Sequence, residues 1–224
     1  MPVNEKYLAN FEYENIYHVY NKTNNRELLF RSDKNYLHFL SLFSKYVYPF
    51  ADMYAWNLLP THFHLLIRVK TEKRITNYLS TIPSSIQIKS EKKFFSDNDI
   101  NCLLEMEFKR FFTSYAMAFN NMFNRTGNLF YRTFKRVKID KDSQFTQALI
   151  YIHANAQKHK LVKRFDDYKW TSYHTVISDK PTSLLRNEII DWFGCRDEFI
   201  KIQHDLSEYY YSFPGYIEDD EDGD

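Results

Sequence analysis

Two short segments of this 224-residue chain carry side chains whose types and spacing can do chemistry. The first is His62-Phe63-His64. On a strand, a side-chain period of two puts both imidazoles on one face, with Cα atoms about 7 Å apart, and Phe63 on the other. Two imidazoles so placed can converge on one divalent ion, or can form a hydrogen-bonded pair on a half-exposed strand. The two cysteines, Cys102 and Cys195, are too distant to complete a zinc ribbon. The second segment holds Tyr151 and Asn155, which on a helix share one face a turn apart. A tyrosine hydroxyl can act as a nucleophile, and an Asn oxygen suits a hard cation. In a chain with 18 tyrosines, one Tyr at a helical position is ordinarily core or surface packing.

The elements that must carry these groups follow from periodicity. Ile16 to Tyr20 is a short β-prone run. Ser32 or Asp33 caps a helix whose apolar positions are Tyr36, Phe39, Leu40, Phe43 and Val47, with Pro49 beyond it. Asp52 to Leu59 and His62 to Val69 flank Pro60-Thr61 as a hairpin. A helix follows from Ile75, and Ser84 to Asn101 is polar and irregular. Glu105 to Phe123 is helical, Phe134 to Ile139 alternates as a strand, and Asp142 or Ser143 caps a helix to about His159. That order predicts an α+β fold, a ferredoxin-like antiparallel sheet with helices packed on its faces. Residues 1–177 form the expected main domain, 178–217 a helical C-terminal extension, and 218–224 an acidic tail.

With 20 Phe, 18 Tyr and only four Gly, the chain is neither collagenous nor of disordered composition. Two cysteines exclude a disulfide framework and suit a reducing compartment. Met1 to Asn10 has no apolar run, and no stretch approaches the ~18 apolar residues of a membrane span, so a cytoplasmic, prokaryotic location and no membrane partner are expected. The net charge of +1 conceals an uneven distribution. Residues 218–224 contribute six acids; without them 30 bases face 23 acids, a net +7. Arg125 to Arg164 holds ten bases against Asp140 and Asp142. That excess is the footprint of a polyanion site, or else a solvated basic helix face.

Five blocks then occur in order: Ile16-Tyr-His-Val-Tyr-Asn-Lys-Thr-Asn-Asn-Arg26, Leu59-Pro-Thr-His-Phe-His-Leu-Leu66, Arg125-Thr-Gly-Asn-Leu-Phe130, Tyr151-Ile-His-Ala-Asn155 and Asp167-Tyr-Lys-Trp-Thr-Ser-Tyr173. The set resembles the HUH single-tyrosine transposases, and among them the REP-associated tyrosine transposase group, over about seven-tenths of the chain. The chain departs from that pattern at Ala156, where Pro is usual, and at Thr61, where Asn is frequent.

The resemblance implies a nuclease cutting and rejoining single-stranded DNA at hairpins or palindromes through a 5′-phosphotyrosine. In it Tyr151 is the nucleophile, and His62, His64 and Asn155 bind Mg²⁺ or Mn²⁺. The partner is single-stranded hairpin DNA, and the protein acts as a monomer or a homodimer. Expected phosphate contacts are Arg132, Lys135, Arg136 and Lys138 before the nucleophile's helix and Lys158, Lys160 and Lys163 after it. Asn21 and Arg26 match polar positions of the first block. Phe130 and Tyr131 can stack on unpaired bases, though Phe130 also suits a core. His18 and His153 are read as structural. Two alternatives remain: a domesticated, non-catalytic binder of single-stranded DNA or RNA, and a metal phosphoesterase that activates water with Tyr151 as bystander.

Overall fold

A computed structural model describes residues 7–85, 87, 91–92, 94, 99–131 and 133–209. Arg132, the acidic segment 218–224 and part of the irregular stretch after Ser84 lie outside the described residues. Strands β1 (Ile16–Lys22), β2 (Ala51–Leu58), β3 (His62–Val69) and β4 (Lys135–Ile139) make one antiparallel sheet in the order β2-β3-β1-β4. Helix α1 (Asp33–Tyr46) connects β1 to β2, while α2 (Glu72–Ser80) and α3 (Ile100–Met122) lie between β3 and β4. This is the expected ferredoxin-like α+β arrangement. Its consequence for function is that the first strand lies between β3 and β4.

Alternation along the central strands builds two cores. Tyr17 and Val19 of β1 and Phe63, Leu65 and Ile67 of β3 face α1 and α3. Most of the phenylalanines are spent here: Phe39 meets Phe63 and Phe111 at ring distances of 5.0 and 4.7 Å. The other face carries α4 (Asp142–Lys158), which packs on β2, β3 and β4. Over that helix lie α5 (Tyr173–Ile177), α6 (Arg186–Phe193) and α7 (Arg196–Leu206) of the C-terminal segment. Sandwiched in this way, α4 is buried continuously from Leu149 to Ala156. A helix covered on both sides needs no polar face there. Its first turn is closed by Gln144, whose Oε1 accepts from the amides of Asp140 (2.9 Å) and Lys141 (3.1 Å), and not by a cap at Asp142 or Ser143. Helix α3 likewise begins earlier than its periodicity predicts, because Asp99 caps it by accepting from the Cys102 amide at 2.8 Å.

Both sheet edges are covered. The 170–185 segment runs along β2, with Leu58 N donating to Trp170 O, Ser172 N to Trp56 O and Leu185 N to Met53 O. At β4 the Ala9 amide donates to Arg136 O. Such covering removes the unpaired edge groups that invite aggregation. Helix α6 is fastened to the sheet by Arg68, whose two terminal nitrogens grip Glu188 at 2.7 and 2.8 Å.

One irregularity re-aims a side chain. Register slips between Met53 and Ala55, a bulge that turns both Tyr54 and Ala55 toward the second core. The residues beyond it are thereby shifted by one, so Trp56 and Leu58 face the first core and Asn57 faces α4. The Asn57 amide donates to Ile152 O at 2.6 Å, pinning the middle of α4 to the strand beside His64.

Candidate active site

Register brings the histidines together. Tyr20 pairs with His64 and His18 with Leu66, so His18, Tyr20, His62 and His64 occupy the sheet face under α4. His18 Nε2 and His64 Nδ1 share a hydrogen bond of 2.9 Å between two buried rings. That bond fixes the plane of the His64 ring and assigns Nε2 as the atom through which it would bind a ligand. His62 is held through Nδ1 by Thr61 Oγ1 at 3.0 Å, while its Nε2 faces Asn155 Oδ1 at 3.4 Å. Thr61 thus has a local task.

Tyr151 lies one helical turn before Asn155. Its ring stands edge-on to His64 at 5.7 Å and to His18 at 6.1 Å. Lys158, two turns along α4, brings its Nζ within 3.4 Å of the Tyr151 hydroxyl and 4.9 Å of the ring centre. Among the described residues no three His, Cys, Asp or Glu side chains converge as a metal group; beside His62 lie the Asn155 amide oxygen at 3.4 Å and the His159 ring at 4.7 Å between centres. Two imidazole nitrogens and one carbonyl oxygen are a donor set that Mn²⁺ accepts readily and Mg²⁺ less so. All three groups are neutral.

The basic residues separate into two groups. Arg136 is 3% exposed, ion-paired with Glu105 and hydrogen-bonded to Ala9 O, with Phe11 and Phe134 against its guanidinium. It points to the α1/α3 side of the sheet and is unavailable to a phosphate at the histidine face, contrary to expectation. Lys138 pairs with Glu12 at 2.8 Å and Asp140 at 3.7 Å. Asn21 is buried on the same side as Val19, its Oδ1 accepting from the Lys22 amide at 2.9 Å. Alternation places all three on the sheet face opposite the histidines. Others lie on the histidine side: Lys158 at the Tyr151 hydroxyl, Lys135 near the Tyr20 ring at 5.9 Å, and the exposed Arg26 in one pocket with His62, while Lys160 and Lys163 are exposed after α4. Arg125 does not contact this face at all; it grips Glu27 at 2.7 Å and the carbonyls of Gly127 and Asn128.

His18, read from the sequence as structural, lies on the histidine face and is bonded to His64. The signal was present, since β1 beside β3 with a period of two places His18 on the His64 face. His153, by contrast, is structural as expected. It is fully buried, bonded to Ser172 Oγ at 2.9 Å and Gln203 Oε1 at 3.2 Å. Burial lowers its pKa to about 3, opposed in part by the Gln203 bond. Since the folded value lies below the ordinary ~6.5, the neutral ring's contribution is present above that pH and is lost as pH falls below it. Stability should drop by about 2 kcal/mol between about pH 7 and pH 5 from this residue alone. Urea denaturation checks this: a His153→Gln variant should show a flatter profile across that range.

The comparisons with known proteins bear on the fold. No protein-family model and no curated protein matches the sequence. A solved structure of a REP-associated tyrosine transposase bound to a REP hairpin does match, with a TM-score of 0.52. The chain shares that protein's fold. The match covers 77% of this chain and 86% of the transposase chain at 15% identity. Among the described residues no helix is long and apolar enough to cross a membrane.

Proposed function

We propose that this chain is a metal-dependent, tyrosine-nucleophile strand transferase acting on single-stranded hairpin DNA. One observation carries the reading: Tyr151 is held by one helix and one sheet face beside His64, with the Lys158 ammonium 3.4 Å from its hydroxyl. The similarity of fold to a transposase bound to a REP hairpin agrees with it.

His62, His64 and Asn155 would hold Mn²⁺ or Mg²⁺, which supplies polarisation of the scissile phosphate and offsets charge in the transition state. The chain's own groups do the rest. Lys158, its Nζ 3.4 Å from the Tyr151 hydroxyl, would offset negative charge on the attacking oxygen. The phenolic proton passes to water as the oxygen attacks phosphorus. The bond from phosphorus to the 3′-oxygen breaks, that oxygen takes a proton, and Tyr151 carries a 5′-phosphotyrosine. Attack on this linkage by another 3′-hydroxyl reverses the sequence and rejoins DNA without a nucleotide cofactor. His18 acts as a positioning residue for His64.

Incubation with single-stranded hairpin DNA and Mn²⁺ should give a denaturant-stable protein–DNA adduct that chelation abolishes. DNA hydrolysed without any adduct would transfer support to the water-activating phosphoesterase. Binding that is indifferent to chelator, with no cleavage of any substrate, would favour a non-catalytic nucleic-acid binder.

A further inference from the structure

A separate pocket of about 240 Å³ opens beside His62, on the side of the β1 end, and is lined by Lys22, Asn25, Arg26, Thr61 and Tyr131 as well as by His62 itself. Its floor is built with care by the sequence. Asn24 donates to the carbonyls of Asn128 (3.2 Å) and Phe130 (3.1 Å), and Tyr131 N donates to Lys22 O at 2.9 Å. Arg125 clamps Glu27 to the same loop. These bonds join the end of β1 to the 125–131 loop and fix both walls. Two consecutive non-glycine residues, Asn25 and Arg26, sit in the left-handed region with φ of 53° and 54°. That conformation is unfavourable for Arg, and it turns the exposed Arg26 to the pocket's rim. The Arg26 side chain has no hydrogen-bond or ion-pair partner among the described residues. Tyr131 is 37% exposed on the opposite wall, with Lys22 Nζ 5.2 Å from its ring centre.

An aromatic face, two cations and small polar groups around one opening are the elements that hold an unpaired nucleotide: a base on the ring, phosphate oxygens on the cations. The volume lies below that of pockets taking drug-sized ligands, so it admits one base and not a stacked pair. We infer that this pocket is a single-nucleotide subsite, which stacks the base of one unpaired nucleotide next to the scissile phosphate on Tyr131 and holds its phosphate with Lys22 and Arg26. The inference rests on the proposed DNA-strand chemistry and adds to it the position at which the single strand is gripped.

The test is an abasic scan. Fluorescence anisotropy is measured for hairpin DNA whose flanking single strand carries one abasic nucleotide at each position in turn. For the unaltered protein, one position adjacent to the cut should lose about ten-fold in affinity and its neighbours much less. Tyr131→Ala should show the same loss on intact DNA and no further loss at that position, while Tyr131→Phe should behave as the unaltered protein. Arg26→Ala should weaken binding with a reduced salt dependence. Equal sensitivity at every position, or a Tyr131→Ala loss that is the same on intact and abasic DNA, would overturn the subsite. If the Tyr151 adduct still forms, only the subsite fails; if no hairpin DNA is bound at all, the DNA-strand reading fails with it.

Discussion

Tyr151→Phe is expected to abolish the covalent adduct, a loss on the order of 10³-fold or more, because the substitution removes the only atom that would bond to phosphorus. Everything else should survive. The ring keeps its edge-on contacts with His18 and His64, and the hydroxyl's contact with Lys158 is long at 3.4 Å. Stability should therefore change by no more than about 1 kcal/mol. Hairpin affinity should change less than about two-fold, because phosphate-contacting cations dominate binding. A gel shift beside an adduct assay separates these quantities. Parallel loss of binding would mean that Tyr151 supports the surface and not the chemistry.

The second large effect is expected at the histidine pair. His62→Ala should cut adduct formation by more than about 100-fold at low Mn²⁺, since first-ligand loss should exceed the 10–100-fold typical of supporting residues. Raising Mn²⁺ should restore part of the activity of His62→Ala and none of Tyr151→Phe. His62 is the cleaner position because it is only half-buried, whereas His64 is buried and bonded to His18. His18→Gln should show a smaller loss in the same direction, visible as weaker Mn²⁺ binding by electron paramagnetic resonance even without turnover. Because the donor set is neutral, Mn²⁺ affinity should rise when single-stranded DNA is present. Activity of His62→Ala that is full and independent of metal would remove the metal from the account.

The fold was legible where local pattern and tertiary demand agree. Strand β3 spans His62 to Val69 as its alternation indicates, and α1 begins after Ser32. The histidine pair and the Tyr151–Asn155 turn were visible because their spacing is intrinsic to strand and helix. What pattern could not disclose is facing across elements. The bulge at Met53/Ala55 that turns Asn57 toward α4 answers to packing between two cores and leaves no local mark. Charge counted along the chain treated Arg136 and Lys135 alike, although adjacent strand positions face opposite ways. The Asp167–Tyr173 block reads as a motif, yet its residues serve the scaffold: Tyr168 donates to Leu58 O at 2.7 Å and Ser172 joins His153 to the β2 edge. His18 required strand order as well as alternation.

The most direct measurement is to digest the adduct formed with Mn²⁺ and hairpin DNA and to identify the modified peptide by mass spectrometry. The account predicts one peptide, bearing a nucleotide 5′-phosphate on Tyr151, together with a free 3′-hydroxyl on the released strand. Modification of any other tyrosine, or a 3′-phosphate linkage, would contradict it.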